Sequence, residues 1–356
     1  MSTPLLNLLV FFLLALSLIA GWHYGRGFLR VLRRNREFKA RVLREDLLKH
    51  LLESRLSASP LPKEQLLRAL RIDEHELRDV TQDLEAHGML EADLQLTSAG
   101  QTYALRIMRA HRLYERYLAE ETGYGEQEWH RYADEREHDL TEQDIAGLAR
   151  KLGNPTHDPH GDPIPAQDGF VTYHENSHAL AGLVPGQLVR IVHVEDEPEA
   201  LYAELVAAGL ASGQYVRVLH ADDQHVRLSC EGREVRLSYR AAENVTVVAD
   251  LREDEHAVPE HGVTLSSLQP GQHARVISLS QRLRGSERRR LLDLGLLPGT
   301  DISAELRSPG GDPVAYDIRG SLIALRRKQA DLILVEPPAD DNGPGTSNVI
   351  ESNNES

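Results

Sequence analysis

Residues 96–138 read LTSAGQTYALRIMRAHRLYERYLAEETGYGEQEWHRYADEREH and decide how the first half of the chain is interpreted. Their apolar spacing predicts one helix from about Ser98 to Glu121 and a second from Gln127 to Asp139. The two helices carry six candidate metal ligands: His111, Glu115, His130, Asp134, Glu137 and His138. Spacings of three and four residues place the ligands of each helix along one stripe, because 3.6 residues make a turn. Two facing helices would therefore present imidazoles and carboxylates to a shared cation.

Composition restricts the kind of metal site that this chain can form. The 356 residues include 17 histidines, 55 acidic residues and one cysteine, Cys230, which we interpret as a core residue. Imidazole and oxygen ligands suit iron, manganese or zinc. Asp46, near the start of an earlier helix, would close a site from the other side. The alternative is a solvated acidic face in a chain of net charge −15, which the paired occurrence of His and carboxylate in two consecutive helices disfavours.

The N-terminus has the character of a membrane anchor. Leu5 to Ala20 read LLNLLVFFLLALSLIA without a charge, close to the length that spans hydrocarbon, and eight basic residues follow before residue 45. We expect an uncleaved, single-pass helix at residues 1–22 in the inner (cytoplasmic) membrane, with the soluble domains in the cytoplasm. The residues before the apolar run carry no basic charge, whereas a cleaved signal peptide normally begins with basic residues. A helix lying on the membrane surface would have a polar face, and this run is apolar on every side.

Residues 45–97 predict a winged helix-turn-helix, with short helices starting after Pro62 and Asp73 and a short ribbon from Met89 to Thr97. The candidate DNA-contacting residues are His75, Arg78 and Gln82 on the second short helix and Lys63, Arg68 and Arg71 on the first. Six acidic residues between positions 73 and 85 oppose Arg78 on the presumed recognition helix. Because phosphate neutralisation supplies much of the affinity for DNA, we expect weak DNA binding.

The second half of the chain repeats. Leu183-Val-Pro-Gly-Gln recurs as Leu268-Gln-Pro-Gly-Gln, and a Gly-Leu turn recurs at almost the same offset. Two such matches indicate a duplicated domain, each copy with short alternating strands and one short helix. A Pro-rich segment before the first copy predicts an extended linker, and the tail from Pro337 predicts disorder.

The helical stretch, together with the later Gly161-Asp-Pro-Ile-Pro165, resembles the diphtheria-toxin-repressor family of metal-dependent transcriptional regulators over about residues 42–168. The resemblance implies a winged helix, a dimerisation domain and two metal ions per subunit. It assigns His111, Glu115 and His130 to an ancillary site, and Asp46, Asp134, Glu137 and His138 to a primary site. Asp134 stands where iron-type members have Cys, and Asp46 is similar to the ligand of manganese-type members. An oxygen-rich primary site favours Mn(II) or Fe(II).

The repeated units resemble the FeoA-type SH3-like domain of ferrous-iron transport systems. The second copy, with LQPGQHARVISL and RRRLLDLGLLPGT, is the more specific match, whereas the first has Ser212 where the second has Pro298. In longer regulators of the family such a domain lends a ligand to the ancillary site, and Glu199 is the nearest candidate.

The expected fold class is therefore multidomain α+β: an N-terminal transmembrane helix, a winged helix-turn-helix, a helical metal-binding and dimerisation domain, and two small SH3-like β-barrels. The expected boundaries are 1–22 for the anchor, 23–44 for a basic juxtamembrane segment, 45–97 for the winged helix, 98–153 for the metal-binding helices, 154–180 for the linker, 181–250 and 263–336 for the FeoA-like copies, and 337–356 for the tail.

The leading functional hypothesis is a membrane-tethered, iron- or manganese-dependent DNA-binding regulator of metal homeostasis that acts as a homodimer. The alternative is a membrane-anchored metal sensor, or an accessory of ferrous-iron transport components, that keeps the scaffold but no longer reads DNA. An enzyme is not expected, because a metallohydrolase needs an open coordination position and a substrate cleft that the sequence does not indicate.

Overall fold

The computed structural model describes residues 36–57, 61–174, 176–249 and 262–338. Within these ranges the chain forms two compact units. The first comprises the described residues up to Tyr114, Ala133–Thr156 and Ile164–Val171; the second comprises Glu115–Tyr132, His157–Pro163 and the described residues from Thr172 onward.

The predicted membrane anchor at 1–22 lies outside the described residues, as do most of the basic segment at 23–44 and nearly all of the tail at 337–356. No helix in the described ranges is long and apolar enough to cross a bilayer.

The winged-helix part of the first unit comprises helices α1 (36–56), α2 (Lys63–Leu70) and α3 (Glu74–Ala86) and the short strands β1 (Leu90–Glu91) and β2 (Gln95–Leu96). Pro62 and Asp73 precede α2 and α3, as the sequence predicts. The Asp73 carboxylate accepts hydrogen bonds from the backbone amides of His75 and Glu76, and Glu76 returns one to Asp73, which forms a capping box. The antiparallel pair β1–β2 forms the ribbon.

Three further helices are α4 (Ser98–Glu121), α5 (Trp129–Glu137) and α6 (Glu142–Lys151). The bounds of α4 match the prediction. Helix α5 is two residues shorter than predicted at each end, and at its start residues Glu126–Glu128 form a separate turn of 3-10 helix. The apolar stripe of α1 packs against α3 and α4 in one core, in which Leu47, Leu48 and Leu52 are almost fully buried. This packing fixes the face of α1 that is left for polar side chains.

The first FeoA-like copy is a six-stranded antiparallel sheet in the second unit. Its elements are β3 (Ser177–Ala179), β4 (Leu188–Val194), α7 (Glu199–Ala208), β5 (Tyr215–Ala221), β6 (His225–Cys230), β7 (Arg233–Ser238), α8 (Tyr239–Glu243) and β8 (Val245–Ala249). The strand order is β3-β8-β4-β5-β6-β7. Cys230 is fully buried, which confirms its interpretation as a core residue, and burial raises the pKa of its thiol to about 12.

The second copy has the same topology. Its elements are β9 (Val263–Thr264), β10 (His273–Leu279), α9 (Gly285–Asp293), β11 (Asp301–Arg307), β12 (Val314–Ile318), β13 (Ser321–Leu325), α10 (Arg327–Ala330) and β14 (Ile333–Val335). The order β9-β14-β10-β11-β12-β13 repeats that of the first sheet element by element. The shared order supports the duplication inferred from the sequence repeats.

The segment predicted as an extended linker is irregular in its first part, and residues 158–161 and 163–165 of it are buried. Residues 157–163 belong to the second unit, and Asp158, Pro159 and His160 are buried. One Asp158 carboxylate oxygen accepts three backbone amide hydrogens of its own turn. Gly161 has φ +103°, and a Cβ there would lie 1.9 Å from the carbonyl oxygen of Val192. The proline content therefore marks a packed turn at this point rather than a spacer.

The core of the first FeoA-like sheet gives a stability prediction. Leu228 on β6 is fully buried, whereas Leu219 on the neighbouring strand β5 is 39% exposed. We expect Leu228→Ala to lower the free energy of unfolding by about 2–5 kcal/mol, because the cavity adds to the lost burial. Leu219→Ala should change it by less than about 0.5 kcal/mol. Thermal and urea unfolding of the two variants measure this; equal effects would contradict the assigned register.

Candidate metal centres

Two clusters of imidazoles and carboxylates form, one in each unit. The first cluster consists of Asp46, His111, Asp134, Glu137 and His138, together with Lys49. The second cluster consists of Glu115, His130, His160 and Asp196.

The first cluster forms where α1, α4 and α5 meet. Its most buried member is Glu137, which is 1% exposed. His111 Nδ1 lies 2.5 Å from Glu137 Oε2 and 3.3 Å from Asp134 Oδ1. His138 Nε2 lies 3.2 Å from Asp46 Oδ1, and 3.8 Å from Glu137 Oε1. Glu137 therefore belongs to two groups of donor atoms that each lie within 4.8 Å of one another: one with Asp46 and His138, the other with His111 and Asp134.

Lys49 places a positive charge inside this cluster. Its ammonium donates to Asp134 Oδ1 at 3.0 Å and to Glu137 Oε2 at 3.1 Å, and its Nζ lies 3.1 Å from His111 Nδ1. Burial alone would lower the pKa of Lys49, but the charges of Glu137 and Asp134 raise it well above its ordinary value. The same contacts, against the effect of burial, lower the pKa of Glu137. The carboxylates are thus charged and neutralised by a tethered cation.

Two carboxylates of α1, Asp46 and Glu45, favour the charged form of His138. Burial would lower its pKa, but hydrogen bonds with Asp46 and Glu45 raise the pKa of His138 to about 9. Glu45, which is 3% exposed, lies 2.7 Å from His138 Nδ1 and accepts a hydrogen bond from the Tyr103 hydroxyl. Glu45 therefore orients His138 through the ring nitrogen that does not face Asp46, the arrangement that commonly supports a metal-bound histidine.

These contacts test whether the first cluster suits a divalent cation. A primary-ammonium group occupies the position between Asp134 and Glu137 that a cation would take, so the donor set already stabilises positive charge there. Carboxylate oxygens and imidazole nitrogens are the donors that Mn(II) and Fe(II) accept. The cluster fits such an ion, provided that Lys49 moves away from the carboxylates.

The second cluster combines residues of α4 and α5 with the buried turn and the first FeoA-like sheet. His130 Nδ1 lies 2.8 Å from Asp196 Oδ2 and 3.3 Å from Glu115 Oε1. His160 Nδ1 lies 3.5 and 3.6 Å from oxygens of the same two carboxylates, and its Nε2 lies 3.0 Å from the Tyr202 hydroxyl. Despite burial, the charges of Glu115 and Asp196 raise the pKa of His160 to about 9.

The second cluster also fits a cation. His160 is 3% exposed, and its Nδ1 has no hydrogen-bond partner among the described residues. A metal ion held between the two carboxylates would replace the proton of this ring, and the deprotonated nitrogen would then be a donor to the ion.

Two of the predicted ancillary residues, His111 and Glu199, have surroundings that the sequence does not show. His111 contacts the carboxylates of the first cluster, within the first unit. Glu199 is exposed at the first residue of α7, and the carboxylate that joins the second cluster is Asp196, three residues earlier. The residues after Val194 are Glu-Asp-Glu-Pro-Glu, so the sequence offers several acids, and only the fold selects one of them.

The predicted DNA-contacting residues lie on α2 and α3, with Arg71 directly after α2, and all six are exposed. On α3, Arg78 pairs with Glu74 at 3.8 Å and His75 with Asp79 at 3.1 Å. Lys63 of α2 also pairs with Glu74, at 3.2 Å. The acidic residues therefore compensate the charges that would otherwise face DNA phosphates.

Sequence reasoning missed four residues: Lys49, Glu45, His160 and Asp196. Lys49 was detectable, because it follows Asp46 by three residues and thus shares its helix face. His160 lies in the segment interpreted as a linker, and nothing in its spacing relates it to Glu115.

Comparisons with known proteins agree with this arrangement. Residues 97–166 match the iron dependent repressor, metal binding and dimerisation domain. Residues 178–249 and 263–337 each match the FeoA domain. The chain therefore carries a domain of the metal-dependent repressor type followed by two FeoA domains.

Individual relatives cover parts of the chain. The iron-dependent repressor IdeR of Mycobacterium bovis is 38% identical over 86 residues, which are 23% of this chain and 37% of that protein. A probable metal transport system membrane protein of Chlamydia trachomatis is 39% identical over 75 residues, 21% of this chain and 17% of that one. The chain thus spans well under half the length of these relatives. A solved manganese-dependent transcriptional repressor in complex with manganese superposes with TM-score 0.54 and 26% identity, over 58% of this chain and all of that one.

Because the Lys49 ammonium competes with a metal ion, two variants of the first cluster should change the Mn(II) affinity in opposite directions. Lys49→Met keeps an apolar side chain but removes the ammonium that a metal ion must displace. We expect it to raise Mn(II) affinity at the first cluster about tenfold or more, since a charge-assisted hydrogen bond contributes about 1.5–3 kcal/mol and 1.4 kcal/mol is tenfold. The double variant Glu137→Ala, His138→Ala should lower it by about tenfold or more.

Calorimetric titration of the full chain with Mn(II) measures both variants. Lys39→Met, an exposed lysine on the same helix, is the matched control and should leave the affinity unchanged. If the double variant binds Mn(II) as the unmodified protein does, the first cluster is not the metal site. A weaker Mn(II) affinity of Lys49→Met would show that the lysine stabilises metal binding instead of opposing it.

Proposed function

We propose that this protein is a metal-dependent DNA-binding transcriptional regulator that responds to Mn(II) or Fe(II) as a homodimer with two ions per subunit. The observation that carries the proposal is the first cluster, in which carboxylate and imidazole groups of α4, of α5 and of His138 directly after α5 lie close to Asp46 of the winged-helix part or to Glu137. The second cluster supports the second ion.

The first cluster would couple metal to the DNA-reading part through α1. One face of α1 carries Asp46 and Lys49, and another carries Leu47, Leu48 and Leu52, which pack in the same core as Leu77, Val80 and Leu84 of α3. A bound ion would supply a fixed divalent charge at this point. Displacement of Lys49 and ligation by Asp46 would then change how α1 is held, and with it α3, so metal shifts the population of the DNA-competent form.

A second candidate function is a metal sensor that keeps the scaffold without reading DNA. The specific observation in its favour is the charge of α3, where ion pairs with Glu74 and Asp79 already engage Arg78 and His75. DNA-binding helices normally add positive charge towards the phosphates, and this one does not.

DNA binding with and without metal separates the two candidates. We expect the metal-loaded protein to bind its own upstream DNA no tighter than about 1 µM at physiological salt, the range of non-specific affinity, and to bind detectably at low salt. Asp79→Asn with Glu85→Gln, two exposed acids of α3, should strengthen binding, because repulsion of the backbone is removed.

Asp223→Asn with Asp293→Asn removes two exposed acids outside the winged helix and serves as the control. Fluorescence anisotropy with labelled duplex measures all three proteins. Nanomolar binding by the unmodified protein would contradict the weak-binding prediction, and no binding even at low salt would favour the sensor.

We also propose that residues 1–22 tether the protein to a membrane, with the remaining domains in the cytoplasm. The support is the uncharged run from Leu5 to Ala20 and the eight basic residues that follow it. Such a position would suit contact with ferrous-iron transport components, in which FeoA-type domains occur.

Carbonate extraction tests the tether. The full chain should stay with the membrane pellet, because the apolar run is anchored by burial rather than by charge, and a chain starting at Glu45 should appear in the supernatant. Release of the full chain by carbonate would exclude a spanning anchor.

A further inference from the structure

A cleft of about 500 Å³ lies in the second unit, and its lining includes none of the residues of the two carboxylate clusters. It is bordered by the last turns of α4, the buried turn at 157–159, and both FeoA domains. The lining residues that carry the inference are Arg116, Arg190, Arg284, Arg288, His157 and His174. Basic side chains from five separate segments of the chain thus converge on one concave surface of a protein whose net charge is −15.

The positive charge of the cleft is only partly neutralised. Arg116 pairs with Glu120 of the same helix. Among the described residues, Arg190, Arg284 and Arg288 form no ion pair; Arg284 donates to the carbonyl oxygen of Pro159 and Arg288 to that of Ser280. Guanidinium groups held by backbone carbonyls keep their charge available to a ligand.

The pKa values of two histidines that line the cleft are lowered, in part by neighbouring positive charges. Burial lowers the pKa of His174, and the charge of Arg190 lowers it further. Burial, followed by the charge of His174, likewise lowers the pKa of His157, although Asp162 opposes this. The two imidazoles stack with ring centroids 5.1 Å apart and an interplanar angle of 14°. Neutral stacked imidazoles can still offer N–H donors to an acceptor in the cleft.

A helix N-terminus adds to these side chains. Helix α9 starts at Gly285, which lines the cleft, and its N-cap residue Arg284 makes no side-chain capping hydrogen bond. The first-turn amides of a helix lack intrahelical acceptors and carry the positive end of the helix dipole. Gly285 has φ +55°, and a Cβ there would lie 2.2 Å from the carbonyl oxygen of Glu120, so glycine lets the helix start approach α4.

We propose that this cleft is a binding site for a small multivalent oxyanion, with phosphate as its simplest ligand. Three guanidiniums without carboxylate partners supply charge and paired N–H donors, which match the geometry of phosphate oxygens. A multivalent ligand is favoured over chloride because the donors come from several segments and surround the cleft. Phosphate binding at this site requires neither a metal ion nor DNA. The test of the site is therefore independent of the proposed regulatory function.

The test is a calorimetric titration of the full chain with inorganic phosphate at constant ionic strength, with the unfolding temperature as a second readout. We expect saturable binding at one site per chain and a rise in unfolding temperature with phosphate. Arg190→Gln with Arg288→Gln should weaken phosphate binding at least tenfold and abolish the rise. Pyrophosphate should compete with phosphate, and chloride at the same ionic strength should not.

The matched control is Arg236→Gln with Arg290→Gln, which removes the same charge from the same domain and the same helix at exposed positions that do not line the cleft. This control should bind phosphate as the unmodified protein does. Equal weakening in both double variants would show a response to overall charge and overturn the proposal, as would the absence of saturable phosphate binding. Loss of binding to a short DNA duplex with unchanged phosphate binding would assign these arginines to nucleic acid and also overturn it.

Discussion

Burial of the Glu137 carboxylate is the constraint on which the first unit depends. At 1% exposure this side chain cannot remain charged without a compensating cation, because desolvation of a carboxylate costs several kcal/mol. The contacts of Lys49 and His111 supply that compensation and keep the pKa of Glu137 low. Any cation that replaces Lys49 must make contacts at least as favourable, so the lysine sets the threshold at which metal occupies the cluster.

The two FeoA domains have the same fold but carry opposite charges at equivalent positions. Both sheets have the same strand order, which their apolar alternation and turns determine. The first copy has its acidic loop before α7, where Asp196 meets His130. The corresponding segment before α9 in the second copy carries Arg282 and Arg284, which contact Glu126 and the Pro159 carbonyl. One position in the duplicated fold therefore presents a carboxylate in one copy and guanidiniums in the other.

The winged-helix part has the fold of a DNA-binding domain, but the acidic surface of α3 does not favour DNA binding. The winged-helix part has the helices and ribbon of a DNA-binding domain, yet the acids of α3 pair with its own cations and with Lys63 of α2. A fold can persist after its surface chemistry changes, because its core depends on Leu77, Val80 and Leu84, and none of these side chains faces solvent. The metal clusters and the charge of the DNA-facing helix are thus features that can vary independently of the fold.

The sequence by itself determined the features that depend on local spacing. The start of α3 follows from the Asp73 cap, the bounds of α4 from its apolar period, and the duplication from repeated turns. It also identified Asp46, Asp134, Glu137 and His138 as one ligand set, with the help of a family resemblance. These are short-range patterns, and periodicity is sufficient to show them.

Only the tertiary structure decided which distant groups share a site. Lys49 and His111 are 62 residues apart and meet because α1 and α4 pack through their apolar faces. His160 and Asp196 join Glu115 because a proline-containing turn is buried rather than extended. The basic residues of the cleft likewise come from five separate segments. Such contacts depend on how complete elements pack against one another, and no spacing along the chain specifies that packing.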